Sequence, residues 1–275
     1  MSDSQHAIDL FFKIVLPVLM IGVVTIASHR FGPAVGGVLS AVPAKGGPIV
    51  LFLAVEQGPS FAATSAAASI GGAAGCGVFC LVYALVCRRT SWLVAGAAAY
   101  GAFVVVWAVM LPISAWGVGP ALVATLAILL VSRRLLPEAP KVEGRRATSA
   151  SDLPVRMFAG AAMVVFVTTA GPYFGATISG MLTTIPTIAA VMALFTHAQE
   201  GADRAVGVMR GLTHGLIGFG SFLGVLAFTL VPLGVVPAFA LAISVVVVVQ
   251  AIELRGAIGG RADAPTADLA LEAAD

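Results

Sequence analysis

Apolar residues fill the chain in runs of about 20 residues, separated by short polar gaps, and the runs show no alternation of apolar and polar positions. A helix needs about 20 such residues to cross the hydrocarbon core of a bilayer, whereas strands of a membrane barrel would alternate with a period of two. The pattern therefore predicts an all-α polytopic membrane protein with about nine transmembrane helices. The predicted spans are 10–28, 33–55, 60–86, 91–113, 117–136, 155–173, 176–197, 204–231 and 233–254. The long eighth span is predicted either as one tilted helix or as a helix with a re-entrant break.

Composition supports a membrane protein, because 59% of the 275 residues are hydrophobic and only 10% are charged. The mean hydropathy of +1.03 lies far above that of soluble domains. The lipid bilayer is thus the first predicted partner. The N-terminal segment "MSDSQHAIDLFFK" lacks a basic n-region and a cleavage site, so it is predicted to belong to the mature chain.

Basic residues fall on one side of the predicted spans. With the N-terminus outside, the external segments hold only Lys13, and Lys45 and Arg210 fall within spans. The other basic residues then all lie in cytoplasmic segments: Arg30, Arg88, Arg89, Arg133, Arg134, Lys141, Arg145, Arg146, Arg156, Arg204, Arg255 and Arg261. The positive-inside rule therefore predicts an external N-terminus and a cytoplasmic C-terminus.

The second half of the chain repeats the first. When Phe31 is aligned with Phe174, "FGPAVGGVLSAVPAKGGPIVLFLAVEQG" lies over "FGATISGMLTTIPTIAAVMALFTHAQEG" without a gap, and Pro43 falls on Pro186. The same repeat alignment carries four further positions, Gly72, Gly75, Gly77 and Phe79, onto Gly215, Gly218, Gly220 and Phe222. A proline shared within a common frame of identities indicates an internal repeat.

The predicted topology makes the two copies inverted, since the first runs outward through span 2 and the second runs inward through span 7. The odd span 117–136 is the linking helix that produces the inversion. The predicted divisions are a first four-helix repeat (1–113), a linking helix with a cytoplasmic linker (114–154), a second, inverted four-helix repeat (155–254) and a disordered cytoplasmic tail (255–275).

The stretch "FGATISGMLTTIPTIAAVMALFTHAQEGADRAVGVMRG" resembles the small four-span bacterial inner-membrane proteins of the GlpM-like group, with a similar spacing of Gly, Pro and glutamate-glycine. The resemblance covers 155–254 best and 10–113 more weakly. It implies a fused pair of four-span units in a bacterial inner membrane. That family is poorly characterised, so the resemblance implies no substrate and no functional residue. Lys45 departs from the small or hydroxyl residue that the family has there.

Prolines interrupt spans 2 and 7 at corresponding places, within "SAVPAKGGP" and "TTIPT". Proline frees backbone carbonyls that hydrocarbon cannot satisfy, so such breaks persist only beside a cavity or other protein. Interrupted spans at matching places of two inverted halves indicate a binding site near the membrane midplane. The competing interpretation is that the small residues only allow close helix packing.

Lys45 lies 12 residues into span 2, roughly 18 Å deep at the helical rise, and no acidic residue of the predicted spans is placed to pair with it. An anionic substrate is one predicted partner, and a neutral, proton-carrying lysine is the alternative. Arg210 and His214 share a face of span 8 and are predicted to extend this positive lining. A guanidinium that reaches the interface and a histidine bonded to a neighbouring helix are the competing interpretations.

The predicted substrate-binding residues come from both broken spans and from span 8: Ser40, Pro43, Lys45, Gly46, Gly47, Thr183, Thr184, Pro186, Thr187, Arg210 and His214. Polar residues end the two broken helices on opposite membrane faces. The competing interpretation is that they are ordinary helix-end residues without a function. The candidate gates are Glu56, Gln57, Gln199 and Glu200.

No motif of an enzyme, a cofactor site or a nucleic-acid-binding protein occurs in the chain, and Cys76, Cys80 and Cys87 form neither a metal motif nor a disulfide framework. The sequence therefore predicts a secondary carrier or exporter for a small, anionic metabolite, without a metal or other cofactor, and a homodimer is possible. A passive channel or lipid-carrier flippase is the first alternative. A non-transporting membrane subunit or assembly factor is the second.

The orientation is directly testable. Because basic residues are retained in the cytoplasm, we expect reporter fusions to place the N-terminus outside, and the 137–154 linker and the C-terminus inside. An external linker would contradict both the orientation and the inversion of the two repeats.

Overall fold

The computed structural model describes residues 46–138 and 175–262 continuously, together with isolated helical positions within 11–19 and 154–174. The described residues form eight helices and no strand. The helices are α1 (Gly46–Glu56), α2 (Pro59–Val86), α3 (Trp92–Ala115), α4 (Val118–Leu135), α5 (Ala176–Thr184), α6 (Thr187–Glu200), α7 (Ala202–Leu233) and α8 (Val235–Ala262).

Five helices, namely α2, α3, α4, α7 and α8, are long and apolar enough to cross a membrane. The prediction of an all-helical, membrane-embedded chain is confirmed at this level. Helices α2, α3 and α4 begin and end within about two residues of the predicted spans. The predicted spans 10–28 and 155–173 lie outside the continuously described residues, and so do residues 33–45 of the predicted span 33–55.

Two helices differ from or refine the sequence prediction. The eighth predicted span is one uninterrupted helix of 32 residues, so the single helix rather than the helix with a re-entrant break is present. The last helix continues to Ala262, and the prediction that 255–275 is a disordered tail is therefore wrong for 255–262. The helix continues here although three glycines lower its helix propensity, and no proline interrupts it before Pro265.

Helices α2 and α7 form the buried centre of the bundle, and α3, α4 and α8 expose most of their apolar side chains. The two central helices run antiparallel, because Cys80 lies against Thr213 while Arg88, just past the end of α2, pairs with Asp203 at the start of α7 at 2.8 Å. Alanine, glycine and serine make up most of α2 between 62 and 77. Such small residues let neighbouring helices approach the backbone of α2 closely.

The helices of the two halves correspond under the repeat alignment. Helices α2 and α7 begin at equivalent positions of that alignment, and so do α3 and α8. Gly58 and Gly201, which precede α2 and α7, share nearly the same backbone conformation, with φ of 93° and 95°. This region is open essentially only to glycine, so both joints require that residue.

The close packing of α2 against α7 has a measurable consequence at Cys87, the residue that follows α2. Its side chain is 2% exposed, and burial raises the pKa of the thiol, with only partial opposition from Arg88. Because the thiolate is the reactive form, we expect Cys87 to react with a maleimide at pH 7 at least about tenfold more slowly than an exposed cysteine introduced as Arg89→Cys. Peptide mass spectrometry would measure both rates, and similar rates would show that this joint is open.

Candidate functional site

The helical path over 176–197 is broken at Pro186, as the sequence predicts. Helix α5 ends at Thr184 and α6 begins at Thr187. Pro186 has no N–H to donate to Leu182, and it forces the preceding residue out of the helical region, so Ile185 is extended, with φ −47° and ψ 124°. The break leaves carbonyl groups of the last turn of α5 without their usual helical partners.

Helix α2 donates two side-chain hydrogen bonds to α5, one of them to the carbonyl of Thr184 at the break. The Cys76 thiol donates to the carbonyl of Thr184 at 3.1 Å, and the Ser69 hydroxyl donates to the carbonyl of Gly180 at 2.9 Å. Gly72 lies between these two donors on the same face of α2, and a Cβ at this position would overlap the Thr184 side chain. The donors reach α5 only because Gly72 and Gly180 keep the two backbones close.

The same face of α2 continues along α6. The Tyr83 hydroxyl lies 3.3 Å from the carbonyl of Ala193 and 3.2 Å from Nδ1 of His197. Since Ser69, Cys76 and Tyr83 follow at seven-residue intervals and their partners rise in number with them, α2 runs parallel to α5 and α6. The broken helix is thus fixed along its length by one neighbouring helix.

The first residues of α1 lie beside this break. A Cβ at Gly46 would lie 3.6 Å from Cγ2 of Thr183 and 2.9 Å from the ring of Phe219 on α7. Gly46, Gly47, Thr183, Thr184 and Pro186 are buried, and Thr187 is partly buried. The structure therefore brings together the predicted residues from both broken spans that it describes, whereas Ser40, Pro43 and Lys45 lie outside the described residues.

Arg210 and His214 take part in other contacts. Arg210 donates to the carbonyls of Leu136 and Pro137 at the end of α4, at 3.1 and 3.0 Å. His214 lies 2.8 Å from the Glu253 carboxylate on α8. The contact of His214 matches the competing interpretation of a histidine bonded to a neighbouring helix. Neither this contact nor that of Arg210 reaches the break at Pro186.

The predicted gate residues lie at opposite ends of α2. Glu56 and the exposed Gln57 come just before the start of α2. Glu200 and the exposed Gln199 come just before Ala202, and the carbonyl of Ala202 lies next to Cys87 at the other end of α2. Glu200 forms an ion pair with Arg204 at 2.6 Å.

Sequence reasoning missed the side chains that support the break. Ser69 and Cys76 were not predicted to take part, although Ser65, Ser69, Gly72 and Cys76 share one helical face, a spacing visible in the sequence. Glu253 was also missed, because it lies near the predicted end of span 9. Its partner on α4 is Arg133, which donates to both carboxylate oxygens at 3.3 and 3.2 Å.

No family model, curated protein or solved structure matches the chain. The resemblance to the GlpM-like group therefore stays a prediction that rests on the residues quoted above.

The contact between Gly72 and Thr184 predicts a large effect from a single methyl group. Because the added Cβ overlaps Thr184, we expect Gly72→Ala to displace the end of α5 and to destabilise the protein by about 1–3 kcal/mol. Gly101→Ala on α3 is the matched control, since no atom lies within 4 Å of its added Cβ and alanine favours helix. Melting temperatures in one detergent would compare them, and equal values would show that the contact between α2 and α5 tolerates separation.

Proposed function

We propose that the protein is a secondary carrier or exporter for a small, anionic metabolite, with its binding site between the two broken spans. The observation that carries the proposal is the break at Pro186, held by α2 and placed beside the first residues of α1. Non-helical backbone within a membrane persists where it is buried in protein or lines a cavity, and carriers with inverted halves bind substrates at such breaks.

Inverted repeats are part of the proposal, and corresponding helix contacts support them. In the repeat alignment α1, α2 and α3 correspond to α6, α7 and α8. Within each half the first of these helices packs on the second, and the second packs on the third. Between the halves, α3 contacts α6 and, correspondingly, α8 contacts α1. The antiparallel course of α2 and α7 is the relation that an inverted pair requires. We place the protein in a bacterial inner membrane, with an external N-terminus and a cytoplasmic C-terminus, as a fused pair of GlpM-like units.

The chemistry around the break favours a polar, anionic ligand. The described part of α1 opens beside the break with buried residues and has no acidic residue in its first described turn. The Ser65 hydroxyl, one turn before Ser69, is fully buried and has no hydrogen-bond partner among the described residues. Lys45 is the residue before Gly46 in the sequence, and the proposal assigns it the cation that binds the anion.

Two measurements in order test the proposal. Purified protein is screened for thermal stabilisation by phosphate, sulfate, lactate, succinate and citrate, and the most stabilising anion is then used, radiolabelled, in proteoliposomes. A carrier exchanges labelled for unlabelled anion across the membrane, whereas a channel shows no such counterflow. Absence of stabilisation together with stable co-purification of one partner protein would instead favour a membrane subunit or assembly factor.

Lys45→Met tests the anion directly. Methionine has a similar length and no charge, so we expect the variant to insert and fold but to lose at least about tenfold in anion uptake, with unchanged or higher melting temperature. Lys45→Arg should be only partly active, because the planar guanidinium cannot replace a compact ammonium group.

Lys141→Met in the predicted cytoplasmic linker is the control for loss of a lysine, and its uptake should equal that of the wild type. Wild-type uptake by folded Lys45→Met protein would remove the charge argument for an anionic substrate.

A further inference from the structure

A polar cluster from three helices lies within the bundle, away from the break. Glu253 on α8 accepts hydrogen bonds from Arg133 on α4 and faces His214 on α7, whose Nδ1 lies 2.8 Å from one carboxylate oxygen. The side chains of His214 and Glu253 are only 18% and 13% exposed. His214 is 12 residues from the start of the 32-residue α7, about 18 Å along its axis. The cluster is therefore close to the middle of that helix.

We propose that His214, supported by Glu253, binds the proton to which transport of the anion is coupled. The inference rests on the proposed carrier function and adds the coupling ion to it. A carboxylate only accepts hydrogen bonds, so Nδ1 of His214 carries the hydrogen that points to Glu253. The exchangeable proton is then the one that Nε2 gains from water on one side of the membrane and returns to water on the other.

Comparison of the two halves shows that packing alone does not require this pair. Under the repeat alignment, His214 corresponds to Gly71 and Glu253 to Met110. In the first half these two residues are in close apolar contact, since a Cβ at Gly71 would lie 2.8 Å from Cβ of Met110. The same helix contact is thus made once by a glycine and a methionine and once by an ionisable pair. The cluster lies at the level of the last turn of α4, where Arg133 is 38% exposed, and the exchange of an apolar pair for two partly buried ionisable groups points to a function.

The charged groups around His214 and Glu253 can be counted for the described residues. Helices α2 and α3 contain no Asp, Glu, Lys or Arg, and the only such residue of α1 is Glu56 at its end. Glu200 on α6 pairs with Arg204 on α7, and Asp203 on α7 pairs with Arg88. Arg134, next to Arg133 on α4, is exposed. Arg210, one turn before His214, is bonded to carbonyls at the end of α4. Arg133 is therefore the one described cation that bonds to Glu253.

This charge balance links the proton to an anion. Arg133 and Glu253 together are neutral, so the cluster has a net charge of +1 when His214 is protonated and zero when it is not. Phe219, which lies against Gly46 beside the break, is five residues further along α7, so it is about 7.5 Å away along the helix axis and projects about 140° from His214 around the helix. The added charge would act on the break across the width of α7, so it would tighten anion binding by roughly a few-fold, and a bound anion would favour the proton equally.

The surroundings of the pair restrict proton access on one side. Gln250, one turn before Glu253, is 6% exposed and donates to the carbonyl of Gly215 at 2.9 Å, while its Oε1 has no hydrogen-bond partner in the described part of the chain. Its amide lies against Gly218, where a Cβ would be 2.7 Å from Nε2. This buried amide separates His214 and Glu253 from the remaining length of the contact between α7 and α8.

The test compares two rates for the labelled anion selected in the stabilisation screen. Exchange is measured without a pH gradient, and accumulation is measured with the outside of the proteoliposome acidic. We expect the ratio of accumulation to exchange to fall at least about tenfold in His214→Gln and in Glu253→Gln. Met110→Leu, at the equivalent apolar contact, is the matched control and should keep the wild-type ratio. Size-exclusion profiles and melting temperatures establish that each variant is folded.

The possible results separate the two proposals. Two results would overturn proton coupling at this pair and leave the carrier function intact. In the first, the wild type exchanges the anion but its accumulation does not depend on the pH gradient. In the second, the ratio of accumulation to exchange is unchanged in both variants. Absence of both stabilisation and exchange in the wild type overturns the carrier function and coupling together.

A substrate-free measurement addresses the proton itself. Protein labelled with ¹³C at histidine Cε1 gives a His214 signal that is identified by its loss in His214→Gln. We expect this signal to move between samples at pH 5 and pH 8, because the Cε1 shift reports protonation of the ring. A signal at one position in both samples would show that His214 exchanges no proton in this range, and the proposal would fail.

Discussion

The structure depends on the rule that a backbone carbonyl inside a membrane needs a hydrogen-bond donor. Pro186 breaks the helical ladder, and each carbonyl left without a partner in hydrocarbon costs several kcal/mol. Cys76 satisfies Thr184, and Ser69 adds a bond to Gly180. These bonds are possible because α2 has small residues along this face, so its backbone lies close to α5. The composition of α2, its central position and the break are therefore parts of one arrangement.

The sequence predicted what hydrophobic length and proline chemistry determine. Helices α2, α3 and α4 follow from apolar runs bounded by polar joints, and the break at Pro186 follows from the missing N–H of proline. The positive φ of Gly58 and Gly201 before two helix starts was not predicted and is seen only in the structure. The inverted arrangement of the halves follows from the charge pattern and the repeat, and it stays a prediction.

Side-chain partners could not be predicted in the same way, because they depend on which helix faces meet. Cys76 shows no metal or disulfide spacing, so its bond to Thr184 becomes visible only when α2 is placed against α5. Arg210 and His214 share a helical face in the sequence, yet they contact α4 and α8 respectively. Glu253 lies near the end of an apolar run, a position typical of a helix end, and only the longer α8 places it within the bundle.

Helix α4 lies outside both predicted repeats and contacts helices of each. Thr125 donates to the carbonyl of Ile70 on α2 at 3.0 Å, Leu122 packs against Gly224 on α7, and Arg133 holds Glu253 on α8. The charge of Arg133 thus reaches the second half from a helix that also binds the first. A displacement of α8 relative to α4 would separate Arg133 from Glu253 and leave the carboxylate with His214 alone. The charge of that remaining pair would then depend on one proton, whereas the equivalent contact of Gly71 with Met110 would stay neutral in every position of the helices.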